Sequence, residues 1–398
     1  MDRLECPFCR KTYPLDVFFP FCPDCHEPML VSAPPRARSF SGAAGLSLEV
    51  YRNFLPLDRV NRRLSLGEGN TPLVPLHRIR RKFNLPPVFA KNETMNPTHS
   101  FKDRGTAVVV QKAAALGIRR VGTVSTGNMA SSTAAYAAKS GLEAFVLLKD
   151  DTTTEKIRSA GIHGSVLIRV RGDYASLFRE SYRIGRRQGI YFANSIDPLR
   201  IEGYKVTSYE IYRQLGDRAP RRVFCPVSSA GHLIGLIRGF SDLREAGYLP
   251  EAPRFVGVQA SGCSPLVRAF AQNRERYCRA IRPGTIAHAI SNPEPPAGNL
   301  ALKWIRDSGG CFVAVTDTEI LRAQKDLAEL EGIFADPASA TVLAALVKLS
   351  RREGARFRGD SVLVITGSGL KSMETLERQK VSVRQAFVGN LEKKILGH

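Results

Sequence analysis

Apolar runs of five or six residues alternate along most of this chain with longer stretches in which apolar positions recur at helical spacing. "RVGTVS" (120–125), "AFVLL" (144–148), "SVLIRV" (165–170), "RVFCPV" (222–227), "RFVGVQ" (254–259) and "SVLVIT" (361–366) read as strands. Helices are expected between them at 129–140, 173–187, 200–215, 232–246, 318–331 and 338–352. This alternation predicts an α/β fold with parallel sheets covered by helices. Ligands of such sheets collect at the carboxyl ends of strands, so the strand-to-helix turns are where chemistry is expected.

Three turns of that kind are rich in small and polar residues. "STGNMASS" (125–132) leaves a strand and opens an alanine-rich helix, with the Asn128 amide at the sheet edge. "PVSSAGHLIGL" (226–236) has the layout of an anion cradle at a helix N-terminus. "ITGSGLK" (365–371) sets the Thr366 and Ser368 hydroxyls between glycines. A fourth stretch, "KNETMNPTHSFKDRG" (91–105), joins an Asn-Pro turn to an apolar helical run that stops at Gly117, with Lys102 at the mouth of the helix. Carboxylates suit a helix N-terminus and cations its other end, so an amine held there loses its proton more easily. Binding a carbonyl requires such an amine. Asp103 and Arg104 read as a cap and a pair at the helix start, and Glu202 with Lys205 as an ion pair.

A length of 398 residues allows two or three domains, and 43% hydrophobic with 24% charged residues is ordinary soluble composition. No apolar run approaches the roughly 18 residues of a membrane span, and "MDRLECPFCRK" is too polar for a secretory signal, so a cytoplasmic protein is expected. The net charge of +21 raises nucleic acid as a partner. Its basic residues are dispersed ("HRIRRK", "RIGRR", "RRE") and there is a single Trp, a pattern of solvated helix faces rather than a nucleic-acid groove. Four of the eight cysteines fall in two knuckles, Cys6-x-x-Cys9 and Cys22-x-x-Cys25, twelve residues apart. That spacing predicts a ribbon around one structural zinc, since four thiolates leave no coordination position for chemistry. "VSAPPRARSFSGAAG" (31–45) reads as a linker, and the basic, amphipathic "RQKVSVRQAFVGNLEKKILGH" at the end as a packed helix or a loose tail.

Together, "GEGNTPL", "NPTHSFKDRG", "STGN", "NSIDPLRIEGYK", "EGIFADPASA" and "TGSGLK" resemble the threonine synthase branch of the fold-type II pyridoxal-phosphate enzymes, relatives of the tryptophan synthase β subunit. The resemblance runs from about residue 5 to 375 and is densest around Lys102. It implies two parallel-sheet α/β domains: a large cofactor-binding one from 64–106 and 191–380, and a smaller one at 107–190. A zinc ribbon (1–30), a linker (31–63) and a tail (381–398) complete the expected organisation. Lys102 would hold pyridoxal 5'-phosphate as a Schiff base, with Asn128 on the 3'-oxygen. Ser228, Ser229, Ala230, Gly231 and His232 would cradle the phosphate, and Thr366 would face the pyridine nitrogen. Ser100 and the turn with Ser125, Thr126 and Met129 would meet the carboxylate of a small anionic amino-acid substrate. A homodimer is the expected assembly.

Three departures stand inside this pattern. Ser228 and Ala230 occupy a phosphate turn that is richer in glycine in the family, His99 replaces a glycine before Ser100, and Met129 replaces a small hydroxyl residue. The implied reaction is threonine synthesis from O-phosphohomoserine and water. The alternative that uses the same residues is β-replacement on O-phosphoserine or a related serine derivative, as in cysteate or cysteine synthases. The alternative outside enzymology is a nucleic-acid-binding zinc protein on an enzyme-derived scaffold.

Overall fold

The computed structural model describes residues 2–32, 39–40, 45–125, 127–150, 154–378, 385, 387, 388 and 395. The knuckles are joined by a small antiparallel sheet of β1 (Arg3–Glu5), β2 (Thr12–Pro14) and β3 (Leu30–Ser32), in the order β2-β1-β3. Next in sequence come β4 (Leu73–Pro75) and β5 (Val88–Asn92), followed by an inserted sheet of β6 (Arg120–Val124), β7 (Glu143–Lys149), β8 (Val166–Val170) and β9 (Tyr191–Phe192). The larger sheet is completed by β10 (Arg222–Pro226), β11 (Arg254–Ala260), β12 (Cys311–Val315) and β13 (Ser361–Ile365). The orders are β12-β11-β10-β13-β5-β4 and β8-β7-β6-β9, parallel throughout except for the antiparallel edge strand β4. Every residue of β10 and of β13 is buried, as expected of central strands covered on both faces, which is why they read as continuous apolar runs.

The helix Pro198–Gln214 runs through the centre of the molecule, and its first fifteen residues are all buried. It starts where it does because Pro198 is pre-set for the first turn and the Asp197 carboxylate accepts from the backbone N–H groups of Leu199 and Arg200. The helix Lys102–Ala115 crosses it at backbone contact: a Cβ on Gly203 would lie 2.2 Å from the Arg104 carbonyl oxygen. A buried charge cluster pins the same crossing. Arg104 donates to Glu93 (2.5 Å) and Glu210 (2.7 Å), and Lys91 donates to Glu210 (2.6 Å). Arg104 is therefore structural, and it fixes the helix start that carries Lys102. Lys205 pairs with Glu202 (2.6 Å) and also with Asp242 (2.7 Å), and it donates to the Phe54 carbonyl, which ties the helix to the N-terminal segment.

From Ser47 onward the expected linker is packed: Leu48, Tyr51, Phe54, Leu55 and Leu57 are buried in one core with Leu4 and Met29 of the ribbon. Residues 33–38 and 41–44 of that linker, and all of the expected tail except 385, 387, 388 and 395, lie outside the described residues. Strand β9, at 191–192, pairs in the inserted sheet, just beyond the boundary read at 190.

Candidate active site

A cavity of about 1200 Å³ opens between the two larger sheets. Lys102, Ser125, Asn128, Met129, the whole 228–232 turn and Thr366 line it, so most of the residues singled out in the sequence share one space. Ser100 is fully buried and is not part of this lining; Thr126 lies outside the described residues.

Lys102 is the first residue of its helix, with Nζ 4.3 Å from the centre of the Phe101 ring. Burial, and after it the charge of Arg200, bring the Lys102 amine down to about 7. Arg200 is wholly buried; its guanidinium donates to the Ala193 carbonyl (2.6 Å), Thr106 Oγ1 (2.7 Å) and Thr133 Oγ1 (2.7 Å). These three hydrogen bonds all go to neutral oxygens, and the charge of Arg200 stabilises the buried Asp197 carboxylate.

The 91–105 segment and the 366–368 turn are joined backbone to backbone. Phe101 N–H donates to the Thr366 carbonyl (3.0 Å), and Ser368 N–H to that of His99 (3.1 Å). His99 takes φ = 61°, a left-handed conformation that suits the glycine it replaces. Thr366 Oγ1, a neutral hydroxyl, lies 2.9 Å from Ser339 Oγ, a hydrogen bond that orients it. Asp336 caps the helix Pro337–Glu353 by accepting from Ser339 N–H (2.7 Å) and also lines the cavity, where burial pushes its carboxyl up to about 6.

At the far side, Ala230 adopts φ = 71° and opens the helix Gly231–Glu245. The positive φ of this turn falls on Ala230, while Ser228 is not left-handed. The loop before helix Gly298–Asp307 holds the turn in place: Ala297 N–H donates to the Ser229 carbonyl and Asn292 Nδ2 to Ser229 Oγ, each at 3.2 Å. His232 stacks flat on Phe101, with centroids 3.9 Å apart. Burial, then the charges of Lys102 and Arg104, hold it well below the usual imidazole range, so it is neutral.

These residues fit pyridoxal phosphate. Ser195 Oγ and His232 Nε2, both on the cavity wall, are buried without a hydrogen-bond partner among the described residues, and such atoms are costly unless a ligand meets them. A low-pKa amine, a helix N-terminus suited to phosphate and a neutral hydroxyl converge on a space large enough for a cofactor with an amino acid. The ribbon cysteines fit zinc. Their four Sγ atoms lie within 4.8 Å of one another, and Cys6–Cys25 and Cys9–Cys22 are 3.2 and 3.6 Å apart. Zinc–sulfur bonds of about 2.3 Å place tetrahedral sulfurs about 3.8 Å apart.

The sequence reading missed part of the wall. Phe19, Phe21, His26 and Glu27 of the ribbon line the cavity, as do Arg276, Arg279 and Asn292 from the irregular stretch after helix Pro265–Ala271. An irregular stretch of more than about 15 residues inside a compact domain is itself a signal of a functional loop, and 272–297 carries it, broken only by a 3-10 turn at His288–Ile290.

Residues 64–368 match the family described as pyridoxal-phosphate dependent enzymes. The threonine synthase of Methanocaldococcus jannaschii is 39% identical over 330 residues, covering 82% of this chain and 81% of its own. That of Halalkalibacterium halodurans is 34% identical over 352 residues, covering 88% and 96%. Maize serine racemase, at 19% identity, shares the fold with a TM-score of 0.64 over 83% of this chain and 92% of its own. The chain belongs to the fold-type II pyridoxal-phosphate enzymes. Within them its branch is the threonine synthase-like one, whose members are lyases.

Proposed function

We propose that the chain is a threonine synthase that converts O-phosphohomoserine and water to threonine and phosphate. The observation that carries this reading is the Lys102 amine, brought to about 7 at the floor of a cavity it shares with Asn128, the 228–232 turn and Thr366, in a chain 39% identical to a threonine synthase. Pyridoxal phosphate, when bound, supplies the electron withdrawal that makes protons at Cα and then Cβ of the substrate removable. Lys102 would hold its carbonyl carbon, Asn128 would donate to its 3'-oxygen, and the 228–232 backbone would take its phosphate. Thr366, a hydroxyl rather than a carboxylate, would leave the ring nitrogen unprotonated, which suits elimination and replacement over transamination.

Lys102 Nζ would take the proton from Cα and then from Cβ, phosphate would leave from Cγ, the two protons would return to Cγ and Cα, and water would add its hydroxyl at Cβ and give its other proton to the departed phosphate. Ser100, Ser125 and the amides of the 125–129 turn would hold the substrate carboxylate, with Met129 as an apolar side of the pocket. The same reading includes one structural zinc on Cys6, Cys9, Cys22 and Cys25. It also includes a homodimer, for which the fold-type II resemblance is the support, and a cytoplasmic setting, where thiols of this kind stay reduced. It keeps the division into a large and a small unit, with the boundary read at 190 moved past β9 at 191–192.

The test is to incubate holoenzyme with O-phosphohomoserine and, separately, with O-phosphoserine plus sulfite, and to identify the products by mass. Threonine and phosphate in equal amounts from the first, abolished in Lys102→Ala, are expected. Product from O-phosphoserine alone would replace this reading with β-replacement.

A further inference from the structure

The zinc ribbon does not hang from the end of the chain; it forms part of the cavity wall. The second knuckle folds back on itself, with Cys22 N–H donating to the Glu27 carbonyl and His26 N–H to that of Cys22, both at 2.9 Å. That fold turns Phe21 and Glu27 to opposite sides of the cleft. Phe21 packs edge-on against Phe178 (6.4 Å, 77°) and Tyr182 (5.7 Å, 88°), which sit on the helix Tyr174–Gln188 beside the inserted sheet. The Glu27 carboxylate accepts from Asn299 Nδ2 (2.8 Å), on the helix Gly298–Asp307 of the larger unit. Phe21, Glu27, Phe178 and Asn299 all line the same cavity as Lys102.

We propose that the ribbon is the outer wall of the active-site cleft, clamping the inserted unit to the larger one, and that Phe21 is a positioning residue that sets how closely the cleft fits around the substrate. The proposal rests on this cavity being the active site and assigns the ribbon a part in substrate affinity and solvent exclusion. Edge-on aromatic pairs contribute about 0.5–1.5 kcal/mol beyond their burial, so the two that Phe21 makes form a contact that closure can use without locking the cleft. Phe21 lies next to Cys22 of the second knuckle, so its position depends on the knuckle being folded.

The variant Phe21→Ala keeps all four cysteines, and metal analysis should find one zinc per chain in it. In the holoenzyme without substrate, hydroxylamine should strip the cofactor about fivefold faster than from wild type, and iodide should quench cofactor fluorescence more strongly. With O-phosphohomoserine, KM should rise about tenfold while kcat falls less than about threefold, the pattern of lost binding rather than lost chemistry. Phe178→Ala removes the opposing surface without touching the ribbon and should produce the same changes, which keeps the test decisive if Phe21→Ala loses its metal. Unchanged hydroxylamine and quenching rates in a zinc-replete variant would overturn the proposal. Both measurements need no substrate, so they decide the role of the ribbon even if O-phosphohomoserine is not turned over.

Discussion

Lys102 stands at the positive end of a helix, is partly desolvated at the cavity wall, and has the Arg200 charge nearby, and all three favour its neutral form. Its folded value of about 7 is below the ordinary 10.5, so the native state binds fewer protons than the unfolded chain between those values. Cofactor-free protein therefore gains stability from this group as pH rises from about 7 towards 10.5, and the cost of the buried charge is fully present below 7. In cofactor-free protein the rate of reductive methylation at Lys102, followed by peptide mass, should rise through a midpoint near 7; a midpoint near 10 would contradict the desolvated site. At this scale the sequence was legible wherever a residue type clashed with its local setting, as Lys102 does, or repeated at metal-ligand spacing, as the cysteines do. Asp336 shows the limit. An Asp-Pro pair before an apolar helical run marks its capping of the next helix, but its place on the cavity wall depends on the turn after β13 folding back beside it.

Single elements declared themselves where apolar residues ran together, at a sheet edge as for β8 as well as inside the sheet as for β10 and β13. The six apolar runs read as strands correspond to β6, β7, β8, β10, β11 and β13, within a residue or two. Among the strands missed, β5 lies inside the sheet but its apolar run is cut short by Lys91 and Asn92, β9 has two residues, β4 is a three-residue antiparallel edge strand ending in Pro75, and β12 is the opposite edge of the sheet, with two of its five residues only partly covered. Short edge strands owe their pairing to neighbours distant in sequence, so no local pattern marks them. The start of helix Gly231–Glu245 yields a prediction of its own. Ala230 holds φ = 71°, where a Cβ costs about 1–2 kcal/mol and glycine costs far less. Glycine also loses more backbone entropy on folding, so the expected gain from Ala230→Gly is about 0.5–1 kcal/mol, read in urea unfolding of cofactor-free protein. The backbone amides of the turn are unchanged, so cofactor affinity should be kept or improved. Destabilisation by Ala230→Gly would mean that the Ala230 methyl is worth more in packing than its conformation costs.

At the scale of the whole molecule, what stayed hidden in the sequence is where the ribbon docks. A two-knuckle spacing announces a self-contained unit, and the Pro- and Ser-rich stretch after it announces a tether, yet the ribbon's Leu4, Cys6, Cys22 and Met29 are buried in the same core as Tyr51, Phe54 and Tyr209. Polar links run from the ribbon to three parts of the body: Asp2 to Lys112 (2.7 Å), Asp16 to Arg186 (3.0 Å), and the Val31 carbonyl to Arg238 (2.8 Å). The tertiary surfaces that meet these residues are assembled from segments more than a hundred residues away, which is why no local pattern foretold them. A consequence follows for metal removal. Stripping zinc from an isolated ribbon melts that ribbon alone, because the binding free energy of the metal is its folding free energy, about 10–16 kcal/mol in small zinc domains. Here, melting the ribbon would also uncover its share of the common core and release the links to the body. A zinc chelator, with pyridoxal phosphate kept saturating, should therefore lower the main thermal transition of the chain by about 5–10 °C, since a loss of several kcal/mol moves the midpoint of a chain this size by a degree or two per kcal/mol. A main transition that stays put, with a separate small one appearing below it, would show that the ribbon unfolds by itself and that its packing against the body contributes little.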